Sequence, residues 1–194
     1  MDFLSDVYLY NFEGIRNNAY EYRFISKGEK DITKVVTVRP LTNRPSVYNI
    51  GFGNLEIGPD GKETVNDLST DNNLDHKMVL NTAFACMLHF LKQEPKSQVV
   101  LFGNTDYKHL YYKKRIAAYL EQLEKGLRVI GYQADYEIEY LDIEVVRNGK
   151  NGKERKRIMK TKNVDTLKIK KLISAERFDI SKVKVYDFVL FCLI

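Results

Sequence analysis

At 194 residues, the chain is long enough to form one domain that buries roughly 70% of its unfolded surface without a disulfide or a metal. Its 44% apolar and 29% charged residues exclude global disorder, and two cysteines, no signal-peptide pattern and no apolar run of about 18 residues predict a cytoplasmic protein. The net charge of +5 is uneven, because residues 147–171 hold eleven Lys/Arg and two acids, whereas the rest of the chain holds 20 Lys/Arg and 24 Asp/Glu.

The N-terminal part predicts four strands joined by short turns, which is typical of an antiparallel β-meander. Apolar and polar residues alternate in these stretches with the period of a half-buried strand. The predicted strands cover Val7–Phe12, Tyr20–Ile25, Ile32–Arg39 and Val47–Ile57. A polar connection of about sixteen residues then runs to Asn73, which is long for a compact domain.

This connection ends in Asp71-x-Asn73-x-Asp75, which matches the first positions of a calcium-binding EF-hand loop. The sixth position is His76 where the loop needs Gly, and the twelfth is Thr82 where it needs Glu, so no metal is predicted. Asn73 or Asp75 is instead predicted to cap the helix that follows.

The middle of the chain predicts a buried helix and a strand–helix–strand unit. Apolar residues cover nearly all faces of the helix at 75–93, which indicates a central position. The short apolar run 98–103 predicts a buried strand, the stretch 106–125 an amphipathic helix and the stretch 127–132 a second strand. The predicted polar face of the amphipathic helix comprises Lys108, Lys113, Lys114, Arg115 and Lys125.

The C-terminal part predicts an acidic strand, a basic hairpin and a last pair of strands. The acids of the strand 135–146 change parity between Glu139 and Asp142, which indicates a bulge. Two Asn-Gly pairs within 147–152 predict a hairpin turn, and 164–173 and 183–194 are predicted to pair with each other. The whole therefore predicts a single α+β domain, 1–194, with residues 147–163 as a basic appendage.

One candidate binding site is an anion-binding turn at the start of the amphipathic helix. Backbone N–H groups at such a turn favour phosphate, with Lys108 and Arg115 as counter-charges. The turn consists of Gly103, Asn104 and Thr105. It lacks the glycines of a P-loop or a dinucleotide fingerprint, and a purely structural turn capped by Asp106 is the alternative.

The second candidate is the polycation of the hairpin, since Lys and Arg neutralise phosphates without a sequence code. Its residues are Lys153, Arg155, Lys156, Arg157, Lys160 and Lys162. The alternative is a self-neutralising arm, in which the acidic strand pairs with the basic one, for example Glu144 with Lys153. Tyr107, Tyr111 and Tyr112 are either base-stacking residues or residues that pack on the sheet.

Other chemistry finds little support in the sequence. Asp135, Glu137 and Glu139 could hold Mg²⁺ or transfer protons, but acids beside a basic strand are expected to form salt bridges. No standard zinc spacing exists among the Cys and His residues, and neither a metal nor a cofactor is predicted. His89 and Cys86 are interpreted as core residues.

Several motifs together resemble a family of small bacterial proteins of unknown function. The resemblance covers roughly residues 20–132, and the motifs that carry it are Val47-Tyr-Asn-Ile-Gly-Phe-Gly-Asn54, Asn73-Leu-Asp75, Val79-Leu80-x-Thr82, Pro95, and Phe102-Gly-Asn-Thr105 with Lys108, Tyr112 and Arg115. The family has Asp, Ser and Arg where this chain has Asn54, Asn104 and Lys108. The resemblance implies an α+β fold without an established activity. It also suggests one site built from Asn54, Asn73, Asp75 and the turn at 103–108.

Three functional hypotheses follow. The first is a binding module that contacts nucleic acid or an acidic protein through the basic hairpin, in a setting such as toxin–antitoxin or phage defence. The second is an enzyme that acts on a phosphate-containing substrate, such as a nucleotide or RNA, at the turn 103–108. The third is a structural protein whose apolar C-terminal strand, Val185–Ile194, completes a homodimer.

Overall fold

The fold is described from a computed structural model that covers residues 6–66, 73–102, 106–148 and 154–194. For residues 106–107, 138–148 and 154–167 only the backbone is described. The predicted α+β class is confirmed, because two helices accompany one mostly antiparallel sheet of nine strands in the described part. The strands are β1 (Tyr10–Arg16), β2 (Ala19–Lys27), β3 (Asp31–Leu41), β4 (Arg44–Ile57), β5 (Glu63–Asn66), β6 (Gln98–Leu101), β7 (Leu127–Asn148), β8 (Glu154–Arg177) and β9 (Phe188–Leu193). The helices are α1 (His76–Gln93) and α2 (Asp106–Leu123).

Strands β1 to β4 are consecutive antiparallel neighbours in the sheet. In β3 the even-numbered positions Val36 and Val38 are fully buried beneath the helices, which accounts for the alternation seen in the sequence. Strand β5 pairs with β4 inside the stretch that the sequence predicts as a connection. Its four residues are too few to show a strand period.

The second half of the sheet has the order β4-β6-β9-β7-β8. Strand β6 is parallel to β4, and β9 is antiparallel to both β6 and β7. The two strands of the predicted strand–helix–strand unit are therefore separated by β9. Strand β9 is paired on both sides, so it offers no free edge to a second chain, and the hypothesis that Val185–Ile194 completes a homodimer stays a prediction.

Strands β7 and β8 are longer than the sequence predicts. The stretches 127–132 and 135–146 form one strand, and 164–173 pairs with β7 instead of with 183–194. The register between β7 and β8 shifts at Gln133/Ala134, where the sequence suggests an interruption. A β-bulge adds an unpaired residue without ending the strand, so the alternation is disturbed although the pairing continues.

Both helices pack on one face of the sheet. The buried cluster there includes Phe84, Phe90, Ile116, Leu123 and Phe191. No helix in the described part of the chain is long and apolar enough to cross a membrane. The opposite face carries a second, smaller cluster formed by β3, β4, β6, β7 and β9.

Candidate functional site

Several polar residues singled out by the sequence lie along one edge of the sheet. Because β4 and β6 are parallel, their carboxyl ends meet there, beside the β2–β3 turn and the start of α1. We define the polar edge as Ser26, Lys34, Asn54, Asn73 and Asp75. Asn54, Asn73 and Asp75, three residues of the site suggested by the resemblance, thus come to the same side of the sheet, and the role of each follows from its contacts.

Asn73 holds the β2–β3 turn. It is fully buried, and its Nδ2 donates to Ser26 Oγ at 2.7 Å and to the Lys30 carbonyl at 2.9 Å. Its Oδ1 accepts from the Lys30 N–H at 3.0 Å. A Cβ on Gly28 would overlap the Asn73 carbonyl, so the turn has room only for glycine. The contacts of Asn73 therefore give it a structural role, which is to hold the β2–β3 turn.

Asp75 occupies the N-cap position of α1, but its side chain makes no capping hydrogen bond. Its Oδ2 instead accepts from Ser26 Oγ at 2.5 Å and from the Tyr8 hydroxyl at 2.7 Å. Burial, and then the bond to Asp75, raises the pKa of Tyr8. The prediction gives the N-cap position correctly, but the predicted side-chain capping bond is wrong. The carboxylate accepts hydrogen bonds from Tyr8 and Ser26 instead of from the helix N–H groups.

Asn54 faces a buried cation. Its Oδ1 accepts from Lys34 Nζ at 2.6 Å, and Lys34 is only 7% exposed. The sequence contains a signal for this burial, since Lys34 shares its parity with Ile32, Val36 and Val38. The pair joins β3 to β4 at directly opposite register positions.

The predicted anion-binding turn, Gly103, Asn104 and Thr105, lies outside the described residues. Of its proposed counter-charges, Lys108 is half-buried on α2. Arg115 donates from Nη2 to the Tyr119 hydroxyl at 2.9 Å, and its guanidinium lies 5.1 Å from the centre of that ring. Arg115 is thus engaged within its own helix.

The aromatic residues of α2 contact other protein groups. Tyr112 packs against Phe52 of β4 at 5.6 Å between ring centres, and its ring lies 6.1 Å from that of Tyr111. Tyr111 and Tyr112 are both half-buried. These contacts agree with packing on the sheet, which is the alternative to base stacking. The side chain of Tyr107 is outside the described set.

Lys113 is a buried cation that the helical pattern assigns wrongly to the polar face of α2. It is 5% exposed, and its Nζ donates to the Tyr186 carbonyl at 2.6 Å. Burial lowers its pKa, and the nearby Asp187 raises it in part. His109, one turn earlier, lies 3.4 Å from the same carbonyl. These groups fasten α2 to the start of β9.

The ribbon, which we define as residues 133–148 of β7 with 154–174 of β8, is anchored at its base. Strand β9 pairs with β7 only as far as Tyr132, so beyond it β7 pairs with β8. Tyr136 packs on Phe188 at 4.8 Å between ring centres, and Asn43 Nδ2 donates to the Ile169 carbonyl at 2.8 Å. Of the acids tested for metal or proton chemistry, Glu137 forms an ion pair with Lys170 at 3.2 Å.

The tip of the ribbon, defined as 142–148 with 154–160, has a regular register without a bulge. Three consecutive bases of β8 lie opposite non-acidic residues of β7. The pairs are Arg155 with Arg147, Lys156 with Val146, and Arg157 with Val145.

Lys160 lies opposite Asp142, whereas Glu144 lies opposite Ile158, so the predicted pairing of Glu144 with Lys153 is wrong. Lys162 falls in the irregular stretch before Val164, and Lys153 is outside the described residues. Arg147, which the sequence does not include among the polyanion-binding candidates, is therefore part of the basic tip.

The described residues contain no group of three or more His, Cys, Asp or Glu side chains that could hold a metal ion. Neither a curated protein nor a solved structure matches the chain. One family model, described as a family of unknown function (DUF6934), matches residues 6–151, about three-quarters of the chain. The match includes β1 to β7 and both helices, with the polar edge among them. The chain belongs to the family of unknown function DUF6934.

Proposed function

We propose that the chain is a nucleic-acid-binding protein that contacts phosphates with the tip of its β7–β8 ribbon. The observation that carries the proposal is the register of the tip. Arg155, Lys156 and Arg157 lie opposite Arg147, Val146 and Val145, so none of these three bases has an acid as its direct cross-strand partner. A self-neutralising arm would place acids at these positions.

Electrostatics supports a polyanionic partner over a neutral one. Like charges directly opposite each other on two strands destabilise a ribbon, and Arg147 and Arg155 form such a pair. A phosphate backbone removes this repulsion, and the release of its counterions adds free energy of binding. The repulsion between Arg147 and Arg155 destabilises the free chain, and we expect a bound polyanion to relieve it.

The cellular setting belongs to the proposal as well. Cys86 and Cys192 are both unpaired, which agrees with a reducing, cytoplasmic compartment. Toxin–antitoxin or phage-defence activity would be a narrower form of nucleic-acid binding. The alternative, an enzyme that acts at the turn 103–108, rests on residues 103–105, which lie outside the described part of the chain.

The test compares two variants with the same change in net charge. In the first, Arg155, Lys156 and Arg157 are all changed to Gln. In the second, the exposed lysines Lys92, Lys96 and Lys125 are changed to Gln. Binding to a mixed pool of DNA and RNA is measured by fluorescence anisotropy at several salt concentrations.

We expect the ribbon variant to lose affinity and to show a shallower salt dependence, with the slope of log K against log salt reduced by about 0.9 for each lost phosphate contact. The control variant should bind like the unmodified chain. Equal losses of affinity in the two variants would show that binding depends on the net charge of the chain and not on the position of the bases. Binding to an acidic protein without binding to nucleic acid would replace the proposal with the protein-partner hypothesis.

A further inference from the structure

The register divides the charges of the ribbon tip between two unlike faces. Directly opposite residues of an antiparallel pair share a face, and successive residues alternate between faces. One face, which we call the arginine face, holds Ile143, Val145, Arg147, Arg155, Arg157 and Met159. The other, the mixed face, holds Asp142, Glu144, Val146, Asn148, Glu154, Lys156, Ile158 and Lys160.

The two faces differ in charge and in the kind of cation. The arginine face has three arginines and no acid, whereas the mixed face has three acids and two lysines. All three arginines of the tip fall on one face and both of its lysines on the other. Such a division makes the arginine face a candidate for specific recognition, because a guanidinium binds phosphate or guanine through two parallel hydrogen bonds.

We infer that the arginine face binds in the major groove of double-stranded DNA, and this inference rests on the proposed function. The major groove of B-form DNA admits a two-stranded β-ribbon. Arginine forms bidentate contacts with guanine there, and apolar side chains contact the thymine methyl group. The arginine face combines these two residue classes.

Other nucleic acids fit the tip less well. Single strands bind to aromatic stacking platforms, and the sequence from Asp142 to Lys160 contains no aromatic residue. The major groove of A-form RNA is too narrow and deep for side chains to read. The seven paired residues on each strand of the tip span about 20 Å at roughly 3.3 Å per residue, which corresponds to about six base pairs.

The experiment compares two double variants that remove equal charge from the same strand. Arg155→Gln with Arg157→Gln alters the arginine face, and Lys156→Gln with Lys160→Gln alters the mixed face. A third variant, Arg155→Lys with Arg157→Lys, keeps the charge but removes the bidentate geometry. Each full-length protein is titrated with a DNA duplex of about 20 base pairs, the corresponding DNA single strand and the corresponding RNA duplex. Circular dichroism checks that each variant is folded.

We expect the DNA duplex to bind most tightly. The Gln variant of the arginine face should lose at least about tenfold in duplex affinity, and the Lys variant should lose a measurable part of it. The mixed-face variant should lose less than about threefold.

Equal losses from the two faces, or tighter binding of the single strand or of the RNA duplex, would overturn the inference while leaving nucleic-acid binding by the ribbon intact. If the unmodified chain binds none of the three probes, the proposed function fails together with the inference. If a Gln variant is unfolded, the Lys variant decides, because it preserves the charge of the tip.

Discussion

At the scale of single residues, the polar groups that stand out in the sequence have mainly structural partners. Asn73 binds Ser26 and both backbone groups of Lys30, and Asp75 binds Ser26 and Tyr8. The sequence identifies Asn73 and Asp75 as notable because they precede a helix. It cannot identify their partners, which lie about 45 to 70 residues away in the chain and are brought close only by the sheet.

The close contact between Gly28 and Asn73 gives the first prediction. Gly28→Ala should lower the free energy of unfolding by about 1–3 kcal/mol, because the new Cβ overlaps the buried Asn73 carbonyl and the turn must move. Gly126→Ala is the matched control, since a Cβ there has no atom within 4 Å and its effect should stay within about 0.5 kcal/mol. Urea unfolding measures both, and equal effects would contradict this explanation of the turn.

Lys113 shows where a residue-by-residue interpretation of a helix fails. The heptad-like stripe of α2 places Lys113 with the polar residues, yet three residues later Ile116 is fully buried on the same side. A lysine can bury its long stem and still satisfy its ammonium group with a carbonyl, and Tyr186 supplies that carbonyl. The acceptor belongs to a distant segment, so the sequence around Lys113 contains no sign of it.

At the scale of elements, Tyr20 provides one of the contacts that attach β2 to α1. The Tyr20 hydroxyl donates to Glu94 Oε1 at 2.6 Å, and Glu94 is the C-cap residue of α1. This hydrogen bond, with a further contribution from burial, raises the pKa of Tyr20 to about 12. An unperturbed tyrosine titrates near pH 10.

The second prediction follows from this pKa. In the unfolded chain Tyr20 loses its proton near pH 10, whereas the folded chain keeps it until about pH 12. The stabilisation from Tyr20 is therefore complete below pH 10 and is lost as the pH rises toward 12. Tyr20→Phe should cost about 1 kcal/mol at neutral pH, and this cost should decline across that window.

Tyr48→Phe is the control, because Tyr48 packs on Tyr20 and Phe90 by its ring alone among the described contacts. Urea unfolding of the two variants and the unmodified chain at several pH values measures the differences. A cost of Tyr20→Phe that stays constant from neutral pH to pH 12 would show that the hydrogen bond to Glu94 does not set the proton affinity.

The ribbon illustrates how much of an element the sequence predicts. The change of parity between Glu139 and Asp142 indicates a bulge, and the register does shift on both sides of Tyr140. The sequence does not predict that β7 and β8 each continue past twenty residues. Strand length depends on the partner strand, and a bulge and a strand end leave similar traces in the pattern of one chain.

At the scale of the whole molecule, the sheet depends on its last strand. The short-range strands β1 to β4 could be predicted from alternation and turns, since each pairs with the next along the chain. The position of β9 could not, because an apolar C-terminal run fits any buried strand equally well. Strand β9 lies between β6 and β7, although it begins 90 residues after β6 begins.

The position of β9 predicts which parts of the chain folding needs, and these differ from the ribbon tip that the proposed binding needs. The family match ends at residue 151, between β7 and β8 in the sequence, and so excludes β9. A chain that stops at residue 151 lacks the strand that joins the two halves of the sheet, and it loses buried side chains such as Phe188 and Phe191. We expect this truncated chain to be unfolded, because each such loss alone costs about 3–5 kcal/mol.

The outer part of the ribbon, residues 138–167, should not be needed for folding. Glu137 and Lys168 lie directly opposite each other, so an Asn-Gly turn that joins them replaces residues 138–167 with a two-residue hairpin. This variant keeps β9, both buried clusters and the packing of Tyr136 on Phe188. It should unfold cooperatively, with a Tm by calorimetry within a few degrees of that of the full chain. It should not bind nucleic acid. Failure of this variant to fold would show that the ribbon stabilises the sheet, and a folded variant that still binds would place the binding site elsewhere.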